Sequence, residues 1–201
     1  MCWNADVSMK SFIIGLIAIV AGAAAGISTP LLLFYSTIVC MQLVEYVVWK
    51  NINDKNVIFN ASIAAVLLLW LQPIFAMLTM TNYKMISIIA YCIIGLIYRL
   101  YDNWELNLQM YPGKDGHLVW KWLEGNRGLW IYFIFLLTPI FFMVSKEMIA
   151  LILLTLFASL YGYYTTNTWG SMWCWLTNGV VVAACIKGIL YKDDLNIKHL
   201  S

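Results

Sequence analysis

The sequence predicts an all-α membrane protein, a seven-transmembrane helix bundle with a small β-hairpin lid between helices 4 and 5. Of its 201 residues, 63% are hydrophobic and only 11% are charged, whereas soluble domains carry about 25% charged residues to cover their surface. The apolar residues also fall into seven runs, and a helix needs roughly 20 such residues to cross a bilayer. Seven spans use most of the chain, so we expect residues 1–201 to form a single transmembrane domain in a lipid bilayer.

The seven runs set the predicted helices in chain order. The first follows Lys10 and is not closed by a small-residue cleavage site, so it is expected to remain in the mature protein as a signal anchor. Polar residues at 28–30, 50–56 and 82–84 then separate the first four spans. The predicted spans are about 12–27, 31–49, 58–80, 85–101, 129–144, 148–164 and 172–190.

The long polar stretch between helices 4 and 5 contains the signature of a hairpin. Apolar and polar residues alternate at 106–110, turn-forming residues follow at 112–116, and alternation resumes at 118–122. Two alternating runs joined by a short Gly-containing loop are typical of a β-hairpin. We therefore predict a hairpin over residues 105–123 that forms a lid on one membrane face. An irregular loop lying at the interface is the alternative.

An odd number of spans puts the chain termini on opposite sides of the membrane. We name the N-terminal side A, with residues 50–57, 102–128 and 165–168, and the opposite side B, with the short links and the tail. Side B carries five lysines against three acidic residues, a net charge of +2, while side A is neutral. A raw count of Lys and Arg favours side A, but most of that count lies at Arg99 or in the long segment. Because basic short loops stay in the cytoplasm, we expect an exoplasmic N-terminus and a cytoplasmic C-terminus.

Polar side chains inside the spans are functional candidates, because such groups are costly in a membrane. In span 2, Gln42, Glu45 and Trp49 follow at helical spacing on one face. Arg99 lies near the side A end of span 4, at about the depth of Glu45. Two arrangements are open for Arg99: an ion pair with Glu45, or extension to the side A headgroups beside Asp102.

Spans 3 and 7 add further polar residues. Gln72 precedes Pro73, which either interrupts span 3 and frees a backbone carbonyl or only kinks the helix. In span 7 a polar stripe at helical spacing descends from side A: Ser171, Cys174, Trp175 and Asn178. We predict one polar cavity that opens to side A and is formed by six residues: Gln42, Glu45, Gln72, Arg99, Ser171 and Asn178.

The tryptophans are concentrated on side A. Nine of the ten lie there or within about one helical turn of it, although tryptophan belts usually mark both interfaces. This predicts an aromatic mouth over the cavity, formed by Trp49, Trp120, Trp173 and Trp175. The alternative is a thick interfacial anchor together with the core of the hairpin.

The cysteines and histidines argue against a metal or catalytic centre. Five cysteines show no C-x-x-C spacing and there are only two histidines, so no metal site and no cofactor are expected. No nucleophile and base pair is recognisable, so we expect no enzyme, and a net charge of +2 disfavours nucleic-acid binding. If side A is exoplasmic, Cys2 and Cys174 are candidates for a disulfide bond.

Span 1 carries a ladder of small residues that allows close helix contact. Ala18, Gly22 and Gly26 are spaced four residues apart. We expect this face to serve helix packing within the chain or contact between copies in a homo-oligomer.

Three short stretches of the sequence stand out together: Met1-Cys2-Trp3-Asn4 with Ser8, Met41-Gln42-x-x-Glu45-x-x-x-Trp49, and Leu71-Gln72-Pro73. With them the chain resembles an uncharacterised family of small polytopic membrane proteins associated with large DNA viruses of algae and protists. The resemblance covers most of the chain as a topology. It implies a viral origin and a shared set of polar residues on side A, and it implies no activity.

These observations favour a membrane protein that binds or transports a small solute or ion through a polar cavity in the exoplasmic half, as a transporter or channel. Glu45 would be its charged element, with Gln72, Asn178 and Arg99 shaping the cavity. The alternative is a structural or assembly component of a virus-modified or virion membrane without transport activity, in which the buried polar groups fix helix register.

Overall fold

The structure, a computed structural model, describes residues 4–101, 107–114, 116–124, 128–143, 146–166 and 168–190. Within these ranges it contains seven α-helices and one two-stranded antiparallel sheet, which confirms an all-α protein with a β-hairpin. The helices are α1 (Ala5–Ala24), α2 (Thr29–Lys50), α3 (Lys55–Leu78), α4 (Lys84–Tyr101), α5 (Leu129–Met143), α6 (Lys146–Thr166) and α7 (Trp169–Leu190).

Four of the described helices are long and apolar enough to cross a membrane, namely α1, α2, α3 and α7. The apolar parts of α5 and α6, Leu129–Pro139 and Ile152–Tyr161, are shorter. The length and composition of the four long helices support an integral membrane protein.

Two helices begin before the apolar runs that predicted them, because polar caps extend them. The side chain of Asn4 accepts a hydrogen bond from the backbone N–H of Val7 at 2.9 Å, so α1 begins well before residue 12. Asp54 caps α3 in the same way. A capping side chain satisfies first-turn N–H groups that have no partner within the helix. In α1 and α3 the apolar run therefore marks the middle of the helix, and the cap marks its start.

Helices α2 and α7 form the centre of the assembly. α2 packs against α1, α3 and α7, and α7 packs against α1, α2 and α6. α5 packs on α3, and α4 packs mainly against α3 and α5. The approach of α1 to α2 and α7 requires a glycine, since a methyl group at Gly15 would lie 2.7 Å from Val39 Cγ2 and 2.5 Å from Asn178 Oδ1.

One face of α4 is exposed along the helix. Its large apolar side chains are 42–72% exposed, whereas Tyr91 on the opposite face is 5% exposed. The Tyr91 ring packs on Phe135 of α5 with the ring centroids 5.3 Å apart. An apolar helix face of this extent fits contact with lipid. The exposed residues are Met85, Ile86, Ile89, Ile93, Ile94, Leu96, Ile97 and Leu100.

The hairpin joins β1 (Met110–Pro112) to β2 (Leu118–Trp120), and a short 3-10 helix (Lys121–Leu123) follows. The register pairs Met110 with Trp120. This confirms the predicted hairpin, although its strands are shorter than the alternation of the sequence suggests. Residues 105, 106 and 115 of the predicted segment lie outside the described residues.

The hairpin belongs to the core of the protein. Leu118, Val119 and Trp120 are at most 2% exposed, and Leu118 and Trp120 join the same apolar cluster as side chains of α2, α3 and α7. β2 contacts α7 directly. The segment that was predicted as a lid is therefore packed into the side A half of the helix assembly.

Helix α5 is joined to α3 close to its own start. Tyr132, three residues after the start of α5, is hydrogen-bonded to Gln72. Gln72 itself lies 17 residues after Lys55, the side A end of α3.

Candidate functional site

Gln42 and Glu45 lie on the buried face of α2, and neither has exposed surface. Trp49, one turn further along that face, is half-buried. Glu45 lies five residues before Lys50, the side A end of α2, hence about 8 Å from that end. A charged group buried this completely is costly unless its surroundings compensate it.

Gln72 belongs to a chain of hydrogen bonds that links three helices. The Tyr132 hydroxyl of α5 donates to Gln72 Oε1 of α3, and it accepts from Trp173 Nε1 of α7 at 3.2 Å. Phe133 packs edge-on against the Trp173 ring, with centroids 5.6 Å apart. The chain ties α3, α5 and α7 together in the buried interior.

Gln72 and Glu45 lie on neighbouring helices. Gln72 is 17 residues from Lys55, the side A end of α3, and Glu45 is five residues from Lys50, the side A end of α2. The single cavity expected to contain both residues stays a prediction. α3 continues through Pro73 to Leu78, which favours the alternative in which this proline only kinks the helix.

Asn178 ties α7 to α1. Its Nδ2 donates to the backbone carbonyl of Ser11 at 2.9 Å, and Ser11 lies six residues from the start of α1. Ser171 is fully buried in the first turn of α7. These two residues share the side A half with Gln42 and Glu45.

Arg99 is exposed and lines a groove between α3, α4 and α5. The groove has a volume of about 380 Å³, within the range of small-molecule sites. Its walls include Trp70, Gly95, Leu96 and Ile131, and Tyr132 lies at its inner side. Tyr132 thus belongs both to the groove and to the buried chain that contains Gln72.

The position of Arg99 bears on its two expected arrangements. Arg99 lies on the exposed side of α4, whereas the Glu45 carboxyl is fully buried in α2. Exposure favours extension of Arg99 towards the side A surface. Asp102, its expected neighbour there, lies outside the described residues.

Tyr132 is the residue of this region that the sequence reading missed. It lies in a span whose residues are nearly all apolar and aromatic, so no spacing distinguishes it from its neighbours. Its interior hydroxyl becomes visible only when α3 and α7 are placed beside α5.

The four tryptophans predicted to line a mouth differ in burial. Trp120 and Trp173 are 1% and 3% exposed, while Trp49 and Trp175 are half-buried. Trp120 stacks on Trp122 with the ring centroids 5.3 Å apart. Burial of Trp120 favours the alternative in which these rings form the core of the hairpin.

The remaining candidates are only partly described. Cys174 is fully buried and Cys2 lies outside the described residues, so their disulfide stays a prediction. In the small-residue ladder of α1, Gly22 is buried, and a methyl group there would lie 3.3 Å from Cys185 Sγ of α7. Gly22 therefore serves packing within the chain, and the homo-oligomer through Ala18, Gly22 and Gly26 stays a prediction.

A polar cluster on the hairpin was not foreseen. Glu124 accepts hydrogen bonds from Lys121 Nζ and from the Tyr111 hydroxyl at 2.7 Å. Burial raises the pKa of the Glu124 carboxyl, but these two bonds outweigh it, so the pKa lies below its usual value. The bond with Glu124 raises the pKa of both Lys121 and Tyr111. The cluster joins β1 to the 3-10 helix by charge-assisted bonds.

Comparison with known proteins finds no match to this chain among protein-family models, curated proteins or solved structures. The viral family association consequently stays an expectation from the three short sequence stretches.

Proposed function

We propose that the protein is an integral membrane protein whose seven helices cross the bilayer and that it binds a small solute in the groove between α3, α4 and α5. In this proposal the N-terminus is exoplasmic and the C-terminus cytoplasmic. Binding in the groove is the first step of a transport cycle, in which Glu45 acts as a charged element of the interior.

The observation that carries the proposal is the groove itself. It combines a volume of about 380 Å³ with mostly apolar walls and one guanidinium, that of Arg99. Ligand sites commonly have this make-up, a concave apolar surface with a few polar groups that orient the ligand. Tyr132 connects the groove wall to the hydrogen bonds of Gln72 and Trp173, so occupancy of the groove can affect the packing of three helices.

A structural role in a membrane, as an assembly component of virus-modified or virion membranes, is the second candidate. It is favoured by the bonds of Asn178 to Ser11 and of Gln72 to Tyr132, since both join helices. Buried polar residues that fix helix register need no ligand.

Experiments on the purified protein in proteoliposomes distinguish solute binding from a structural role. We expect a panel of anionic, neutral and cationic small solutes to contain members that raise the thermal midpoint of the wild type, and Arg99→Gln and Glu45→Gln to alter binding or flux without loss of the folded protein. If no solute raises the midpoint and no flux is measurable, the solute-binding proposal fails and the structural role is favoured.

A further inference from the structure

We propose that the natural occupant of the groove is an anionic membrane lipid, which enters sideways from the bilayer with its headgroup at Arg99 and one acyl chain along α4. This inference rests on the proposed function of the groove and names its ligand class. It follows from the order of polar and apolar groups along the groove, from its opening and from its length.

The two ends of the groove differ in chemistry. Arg99 lies two residues before Tyr101, the side A end of α4, where a guanidinium meets the lipid headgroups. Its planar fork of N–H donors matches a phosphate. A cationic side chain at this level attracts anionic lipid over zwitterionic lipid.

The walls deeper in the groove are suited to a hydrocarbon chain. Trp70, Leu96 and Ile131 present apolar surface. The Tyr132 hydroxyl is hydrogen-bonded to Gln72 and Trp173 in the interior. Tyr132 therefore contributes its apolar ring to the wall of the groove. A polar solute would leave its own hydrogen-bonding groups unpaired here, which is costly.

The groove is open to the outside of the helix assembly, where the bilayer lies. Trp70 and Leu96, which line it, are 46% and 60% exposed. From Arg99 to Tyr91 it follows eight residues of α4, about 12 Å along the axis. An extended acyl chain of about ten carbons spans that distance, and because its apolar contacts in the groove replace similar contacts in the bilayer, the headgroup contact decides specificity.

Gly95 keeps the groove open. It lies in the wall midway along this part of α4, and a methyl group added to it would meet no atom within 4 Å. A larger side chain at this position therefore projects into the groove without disturbing the packing of α3, α4 and α5. Gly179 of α7 is exposed, and a methyl group added to it would likewise meet no atom within 4 Å, which makes it a matched control.

Quenching of Trp70 by brominated lipids tests the proposal. The full-length protein is placed in nanodiscs that contain increasing fractions of phosphatidylglycerol or phosphatidylcholine with brominated acyl chains. The fluorescence of Trp70 is obtained by subtracting the fluorescence of Trp70→Phe from that of the protein that retains Trp70. We expect half-quenching at an about fivefold lower fraction of the anionic lipid. Arg99→Gln should remove this preference, Gly95→Leu should reduce the quenching by both lipids, and Gly179→Leu should behave as the wild type.

Equal quenching of the wild type by both lipids would overturn the inference, and so would an unchanged preference in Arg99→Gln or unchanged quenching in Gly95→Leu. Gly95→Ala, which adds only a methyl group, replaces Gly95→Leu if the latter does not fold, and an intermediate loss of quenching is then expected. If a water-soluble solute raises the thermal midpoint while the lipids show no preference, the proposed function stands and the lipid inference fails. If neither binds, both fail.

Discussion

The indole ring of Trp120 lies directly against the α-carbon of Gly170. A methyl group at Gly170 would come within 2.7 Å of Trp120 Cδ2, so the ring occupies the space of a missing side chain. Trp120 ends β2 and Gly170 lies in the first turn of α7. This contact holds the hairpin in the core.

Gly170→Ala should destabilise the protein by about 1–3 kcal/mol, because the added methyl group forces the Trp120 ring out of its place. Thermal unfolding in detergent micelles measures the effect. Gly179→Ala is the matched control in the same helix. A methyl group at Gly179 meets nothing within 4 Å, so helix propensity predicts no change or a gain of up to about 1 kcal/mol. Equal stability of the two variants would contradict the Trp120 contact.

Tyr132→Phe should lower stability by about 1 kcal/mol, because it removes the hydroxyl that donates to Gln72 Oε1 and leaves that buried oxygen without this bond. Tyr161→Phe provides the control, since Tyr161 is 72% exposed. A double-mutant cycle with Gln72→Met measures the interaction free energy between the side chains of Tyr132 and Gln72. Additive effects of Tyr132→Phe and Gln72→Met would show that the two side chains do not interact.

The hairpin should weaken in acid because of Glu124. Its pKa in the folded protein lies below the usual 4.5, so the carboxylate stabilises the folded state at pH values above that figure. This stabilisation is lost as the pH falls through the lowered pKa. Thermal midpoints measured from about pH 3 to 6 should therefore fall more steeply for the wild type than for Glu124→Gln. Parallel pH profiles would rule out the contribution of Glu124.

The proposed topology places the two ends of α3 on opposite sides of the membrane. Asn53 and Asn82, in the links before and after α3, are both exposed. In a background without native cysteines, Asn53→Cys should react with a membrane-impermeant maleimide added to intact cells. Asn82→Cys should react only after permeabilisation. The reverse result would invert the orientation, and labelling of both residues in intact cells would refute a spanning α3.

Several elements of the fold could be predicted because their signal is local. The composition and the apolar runs indicated a membrane protein made of helices, and the alternation around residues 112–116 indicated the hairpin. Helix starts were less accurate, because caps such as Asn4 are polar and lie outside the apolar runs. The seven-span count depends on helices shorter than the four long ones, so local hydropathy alone does not decide it.

The candidate site could be predicted only in part. Periodicity correctly grouped Gln42 with Glu45, since one helix fixes their relative positions. It did not find Tyr132, because an aromatic residue in an apolar span gives no sign of its hydrogen bonds. Those bonds arise from the packing of α3 and α7 beside α5.

The sequence by itself determined the class of the protein, the helix faces and the hairpin, because these depend on solvent preference and on spacing within one element. The tertiary structure alone decided that Trp120 packs on Gly170, that Tyr132 reaches Gln72 and Trp173, and that Arg99 borders a groove. These relationships join residues far apart in the chain, and they depend on how deeply each helix is set against its neighbours. No local pattern encodes that depth, since it results from the packing of all elements together.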